Sequence, residues 1–431
     1  SEMCIRDRRN VVCPFCGSLC DDIEVDIEDN RVVKVRKGCA ISATKFTKYN
    51  EERIYKPRID GREVSLEEAI NEAVEILANA KYPALYGWSC TSTEAINIGI
   101  EIAELVGGVM DNTASVCHGP TILGEQDAGI STCTLGQVKN RADLIIYWGC
   151  NPAHAHPRHM ARYSAASKGR FVKGRKERTV IVVDVRKTHT AKTADIFIQI
   201  KPNSDFELLT ALKWAVKNGE LEQEEIAGIP AEKIEELADM LISCRFGALF
   251  FGLGLTMSAG KARNIEAAVN LVRELNNYTK FVMVPMRGHF NVTGANEVMA
   301  WATGFPFAVD FSRGFPFYNP GDTTFVDVLT RGDCDAALIV ASDPVSGFPA
   351  EAIRNLVKIP VITLDPHETL TTMISKVVIP TAIVGIEAEG SAYRMDAVPL
   401  RLKKLVEPPP GILSDEEVLK LILKKLKERV K

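Results

Sequence analysis

The sequence predicts an α/β protein, with a small cysteine-rich N-terminal unit followed by two doubly wound parallel-sheet domains. Three observations carry this. Five apolar runs, at residues 144–149, 180–184, 248–252, 337–341 and 361–365, are continuous rather than alternating, as in strands covered on both faces. Helical patterns intervene, starting with 66–78 and 93–105. Ahead of them, Cys13, Cys16, Cys20 and Cys39 crowd into one short segment.

The 431 residues suffice for two to four domains of about 100–200 residues each. With 46% hydrophobic and 25% charged residues, usage is that of a globular protein with a full core. Lys plus Arg is 52 and Asp plus Glu is 56, a net charge of −4, which excludes a nucleic-acid binder working by bulk charge. No apolar run approaches the ~20 residues of a membrane helix, and no charged-then-apolar leader is present. A cytoplasmic protein without membrane or nucleic-acid partners is the expectation. Residues 1–10 read as a tail, and Cys4 receives no role.

Residues 23–27 and 31–35 alternate around an Asp29-Asn30 turn and predict a β-hairpin. It would return Cys39 to the Cys13-x-x-Cys16-x-x-x-Cys20 loop. Ser65 followed by Glu68 marks a helix start, and 83–87 reads as a strand. The expected organisation is a cluster domain at 11–50, a split α/β domain at 51–141 and 286–400, an α/β domain at 142–285, and a linker and helix at 401–431. No internal repeat is visible. Residues 407–411 (Glu-Pro-Pro-Pro-Gly) form the linker. The basic helix from 415 on reads as a solvated face, with a partner contact as the alternative.

A cysteine triple and then a distant single residue suit the four thiolate corners of a four-iron cluster. Structural zinc more often uses two paired knuckles. Zinc and a metal-free unit remain the alternatives.

Later motifs extend this pattern. Gly149-Cys150-Asn151-Pro152 with His156-Pro157, then Asp184-Val185-Arg186-Lys187-Thr188-His189-Thr190-Ala191, Gly252-Leu253-Gly254 and Ser342-Asp343-Pro344 follow the cysteine unit in order. The chain resembles the molybdenum/tungsten bis-pterin oxidoreductases, the molybdopterin oxidoreductase family. That resemblance implies domains I–III of the formate dehydrogenase-like fold, a [4Fe-4S] cluster, tungsten or molybdenum, and two molybdopterin guanine dinucleotides. The expected metal ligands are Cys13, Cys16, Cys20 and Cys39 for the cluster and Cys117 for the heavier metal, a thiolate being a soft ligand. Glycine turns and helix starts offer backbone N–H groups to a pyrophosphate. Gly149, Asn151, Pro152, His156, Gly252, Gly254, Ser342 and Asp343 are the expected loop residues. Asp184 would accept from a guanine amino edge beside Arg186, and Thr188 and Thr190 would donate to phosphate.

Cys117-His118-Gly119-Pro120, the Arg287-Gly288-His289-Phe290-Asn291 segment and the short length are similar to the catalytic subunits of one branch, the formylmethanofuran dehydrogenases. This implies reduction of CO2 to formate at the metal, with electrons from the cluster and condensation of formate with methanofuran on another subunit, the first step of methanogenesis from CO2. It implies several partners. One is a hydrolase-like subunit, and another accompanies it in the same complex. A dinucleotide-capping subunit takes the place of a C-terminal β-barrel cap, and polyferredoxin-type iron–sulfur subunits deliver electrons. The alternative is a stand-alone or truncated formate dehydrogenase. A non-catalytic scaffold of the family should lack these cysteines. His118 is expected to move or position a proton, and Arg287 to fork onto a carboxylate. His154, His189 and His289 are pterin-side candidates, and His367 a turn residue. Formate dehydrogenases place a lysine two residues after the fourth cysteine. Here Ile41 stands there, and spacing does not choose between Lys37 and Lys45 as substitutes.

Overall fold

The computed structural model describes residues 6–429. The chain divides into two compact units. One comprises residues up to Ser115, His289–Arg394 and the segment from Pro399 on; the other comprises Val116–Gly288 and Met395–Val398.

The first unit begins with a three-stranded antiparallel sheet, Arg6–Val11, Ile23–Glu28 and Arg31–Arg36 in that order. The hairpin turns at Asp29 and Asn30, with φ of 45° and 59°, as a two-residue hairpin matched to strand twist requires. Residues 6–10 are not a tail: their backbone pairs along the open edge of Ile23–Glu28, the ordinary way an exposed strand edge is closed. Cys4 lies outside the described residues. The helix Ala40–Thr47 follows, with Cys39 as its N-cap.

The main sheet of this unit has nine strands. Its centre is parallel: Val109–Asn112, Pro83–Gly87, Ala336–Val340, Val361–Leu364 and Val377–Ile379. Short antiparallel strands complete both edges. The helix Leu66–Asn79 starts from the expected capping box between Ser65 and Glu68.

The terminal helix Asp415–Arg429 is no solvated face. Val418, Leu419, Ile422 and Leu426 are fully buried and share one core cluster with Ile70, Leu77, Ile96 and Ile102 of the helices Leu66–Asn79 and Thr93–Val106. Their spacing is that of one helix stripe; the lysines occupy the rest of the surface.

A buried polar cluster ties that helix down. Asp415 accepts from Thr91 Oγ1 at 2.6 Å. Nearby, Arg53 donates to Glu387 at 2.7 Å and to the Thr381 carbonyl at 2.9 Å, with its side chain only 1% exposed. Arg53 is the guanidinium facing Asp365 and Asp415, while Asp343 and Asp415 add negative charge toward Asp365. Burial pushes Asp365 up to about 7 and raises Asp415 as well.

The second unit holds five parallel strands in the order Ile196–Gln199, Thr179–Asp184, Leu144–Trp148, Phe246–Phe251 and Lys280–Pro285. The apolar runs at 144–149, 180–184 and 248–252 lie on these strands. The helices Gly119–Ala128 and Leu135–Arg141 also belong to this unit. Gly124 lets the first of them approach Ala262–Leu275, because a Cβ there would sit 2.8 Å from Ile265 Cβ.

Ile422→Ala should cost about 2–5 kcal/mol through lost burial and a cavity, read as a lower denaturant midpoint. Asp365 binds a proton more tightly folded than unfolded, where a carboxyl titrates near 3.9. Its contribution to stability is therefore lost as pH rises from about 4 through about 7. Asp365→Asn should flatten that decline, so its midpoint gains on the wild type between about pH 5 and pH 8. Parallel pH curves for the two proteins would contradict this.

Candidate active site and cofactor loops

Parallel strands deliver their loops to one end, where ligands bind. In the second unit the strand Leu144–Trp148 ends at Gly149 with φ 56°. A Cβ there would lie 2.7 Å from the Gly254 carbonyl carbon. Gly254 N donates to Gly149 O at 2.9 Å, so the two glycine turns lock together. Gly252 is buried and Gly254 exposed.

Asn151 braces the next loop. Its Oδ1 accepts from Thr190 Oγ1 at 2.7 Å, and Thr190 Oγ1 accepts from Ala153 N at 3.1 Å. Thr188 Oγ1 accepts from Ala191 N at 3.2 Å. Both threonines are buried and brace the loop, Thr190 spending its hydroxyl proton on Asn151. Asp184 Oδ1 accepts from Arg186 N at 3.2 Å. Asp184 is half-buried, Arg186 is exposed, and Pro152 is buried. Burial raises the Asp184 carboxyl. His154 and His189 are exposed.

The first unit repeats this scheme, although the sequence shows no repeat. Ala341 has φ 49°. Asp343 Oδ1 accepts from Thr371 Oγ1 at 2.6 Å and from Thr371 N at 2.9 Å. Thr371 Oγ1 accepts from Val345 N at 3.2 Å, and Asp365 Oδ1 accepts from His367 N at 2.9 Å. Thr190 and Thr371 each stand six residues after their strand-end aspartate. Ser342 lies between Ala341 and Asp343, half-buried. His367 is in its turn, with Nε2 2.7 Å from Tyr49 O.

Cys117, His118 and Arg287 come together in the second unit. Burial pushes the Cys117 thiol up to about 11 against the opposing charge of Arg287. Burial first, and then Arg287, push His118 down to about 3, so its ring is neutral at neutral pH. His118 is fully buried. Its Nδ1 lies 3.0 Å from Thr121 Oγ1, and its Nε2 has no hydrogen-bond partner. His156 Nε2 donates to Arg287 O at 2.9 Å. Thr256 Oγ1 donates to Cys117 O at 3.2 Å. Thr121 and Thr256 escaped the sequence reading. Only Thr121 left a trace there, as a hydroxyl three residues beyond His118 on one helix face.

In the first unit the N-terminal cysteines share one neighbourhood. Cys13 N donates to Cys20 O at 2.9 Å, and Leu19 N to Cys16 O at 3.1 Å. Cys39 Sγ accepts from Ser42 N at 3.4 Å at its helix start. Burial raises Cys13, and the nearby Cys16, Cys20 and Cys39 raise it further, so the four sulfurs lie close together. Among the described residues no three His, Cys, Asp or Glu side chains converge as a single-ion site. A four-iron cluster takes each thiolate on a separate iron, so this thiol chemistry fits it. Lys45, one of the two lysines that spacing left open, lies near the cysteines. Its charge acts on Cys16 and His289, and its Nζ lies 5.6 Å from the Phe15 ring centroid. Lys37 instead pairs with Glu24 at 2.6 Å. For the heavier metal, Cys117 offers a soft sulfur donor, with a buried imidazole and a guanidinium beside it.

Among the described residues no helix is long and apolar enough to cross a membrane. The pattern of the molybdopterin oxidoreductases matches residues 53–425. The B subunit of the tungsten-containing formylmethanofuran dehydrogenase 2 of Methanocaldococcus jannaschii is 52% identical over 97% of this chain and 98% of its own. Two solved structures share the fold. The formyltransferase/hydrolase complex FhcABCD from Methylorubrum extorquens, with methylofuran, matches at TM-score 0.69 and 20% identity over 86% of this chain and 99% of that one. Acetylene hydratase from Pelobacter acetylenicus matches at TM-score 0.73 and 13% identity over 97% of this chain and 69% of that one. The chain belongs to the molybdopterin oxidoreductase family.

Proposed function

We propose that this chain is the catalytic subunit of a formylmethanofuran dehydrogenase. It reduces CO2 to formate with two electrons and one proton, and the formate is then condensed with methanofuran on a companion subunit. The convergence of Cys117, His118 and Arg287, in a chain half identical to a named subunit of such an enzyme, is the observation that supports this reading most.

A tungsten or molybdenum bis-pterin centre, when bound, supplies the two-electron chemistry, and a [4Fe-4S] cluster supplies its electrons. Cys117 is the protein's soft ligand to that metal, and Cys13, Cys16, Cys20 and Cys39 are the cluster ligands. The loops at Gly149–Pro152, Asp184–Thr190, Gly252–Gly254 and Ser342–Asp343 hold two pterin guanine dinucleotides. Their role is to present backbone N–H groups to pyrophosphate; Asn151, Thr188, Thr190 and Asp343 fix the loop shape. His156 steadies the Arg287 backbone.

Arg287 orients the forming carboxylate through its planar fork. His118, neutral and held at Nδ1 by Thr121, directs Nε2 toward the place where a proton is exchanged. The buried surroundings of both side chains exclude water and strengthen the guanidinium–carboxylate attraction. The chain works with a hydrolase-like subunit, a dinucleotide-capping subunit and iron–sulfur subunits, in the cytoplasm.

Cys117→Ala should abolish CO2 reduction and dye-linked formate oxidation while leaving iron content at the wild-type level. Wild-type turnover by that variant would overturn the assignment. Arg287→Ala should retain iron and the heavier metal and lose about 10²–10³ in kcat/KM, as lost charge stabilisation does. An unchanged value would remove Arg287 from the mechanism.

A further inference from the structure

The amino-terminal ends of the second unit's strands carry a feature the chemistry does not use. Residues 168–177 read Lys-Gly-Arg-Phe-Val-Lys-Gly-Arg-Lys-Glu, five cations to one acid, in a chain of net charge −4; the Glu177 carboxylate accepts from Lys173 N at 2.8 Å. Phe171 stands at the centre, 54% exposed. Two guanidinium groups flank its ring: Arg141 at 5.1 Å and Arg170 at 5.5 Å from the centroid. Such pairs are attractive. Arg141, Lys168, Arg170, Lys173 and Lys176 are exposed.

The segment is rigid. Phe171 N donates to Asn140 O and Arg170 N to Asn140 Oδ1, both at 3.0 Å. Gly169 N donates to Val172 O at 2.9 Å. Gly169 lies so close to the next backbone that a Cβ would come within 2.0 Å of Lys139 O. Val172 is a fully buried peg. Arg178, also buried, donates to the carbonyls of Ala142 at 2.9 Å, Lys139 at 2.7 Å and Ser167. Arg175 is neutralised by Asp195 at 2.8 Å. Lys168, Arg170, Lys173 and Lys176 have no ion-pair partner among the described residues.

We infer that this Phe171 knob docks onto an acidic surface of a companion protein chain, with Phe171 filling an apolar hollow and the surrounding cations meeting carboxylates. An exposed aromatic ring among arginines is the composition of interface hot spots. A loop already fixed in shape loses little further freedom on binding. A single ring on a net-acidic chain is a poor platform for nucleic acid, which calls for a basic stripe and several stacking aromatics. It is also too little apolar surface to enter a bilayer. The knob lies at the strand ends opposite Gly149 and Asp184 of the same unit, so it can be altered without touching the candidate site.

The test is photo-cross-linking in the native complex, with p-benzoylphenylalanine in place of Phe171. The benzophenone should join an acidic segment of a co-purifying subunit, identified by peptide sequencing. The yield should fall as salt is raised to about 1 M, where the Debye length shrinks to about 3 Å. Phe171→Ala and Arg170→Glu should each weaken retention of that same subunit about tenfold or more, with dye-linked formate oxidation unchanged as evidence of folding. Three results would overturn the inference: cross-links confined to this chain or to solvent, a trapped segment with no excess of Asp and Glu, or Arg170-dependent binding to polyuridylate or phosphatidylserine vesicles in place of a protein.

Discussion

A parallel strand must release its chain at its carboxyl end into a tight turn, and the candidate cofactor loops hang on such turns. Gly149 and Ala341 take left-handed backbone conformations immediately after the strands Leu144–Trp148 and Ala336–Val340. That conformation carries the chain to Asn151 and Asp343, which each grip a threonine of the following loop. Asn151, Thr190, Asp343 and Thr371 are engaged in holding the loops themselves, and the turns leave backbone N–H groups, the chemistry a pyrophosphate needs.

The candidate site around Cys117 has a different logic. His118 is wholly buried with one ring nitrogen fixed and the other unpartnered, beside a cation and a thiol. Burying polar groups in this way is costly, and such costs are concentrated at functional sites. The guanidinium of Arg287 both resists protonation of His118 and opposes the burial-driven rise of Cys117. One cation thus shapes two neighbours.

Local sequence made much of this legible. Continuous apolar runs mark buried parallel strands because both faces need cover. The cysteine spacing marks a thiol cluster because a hairpin returns Cys39. Arg287 follows an apolar strand and so had to lie at a strand end. What stayed hidden depended on distance or on substitution. The two loops were legible as a related pair before Pro152 and Pro344, but the matching threonine bonds of Asn151 and Asp343 were not, because their partners lie far along the chain. That Lys37 is held by Glu24 shows only once the strands are paired. Arg53, Glu387, Asp365 and Asp415 are far apart in sequence, so no window shows their shared burial. The stripe of the terminal helix was visible at 418, 419, 422 and 426, but its lysines masked it.

The proposed function rests on sulfur from Cys117 as the protein's ligand to a heavy metal. X-ray absorption at the tungsten or molybdenum edge, on anoxically purified wild type and Cys117→Ser, tests it most directly. The sulfur shell of the wild type should lose one neighbour, or the metal itself, in the variant. Indistinguishable spectra from equally loaded proteins would contradict it.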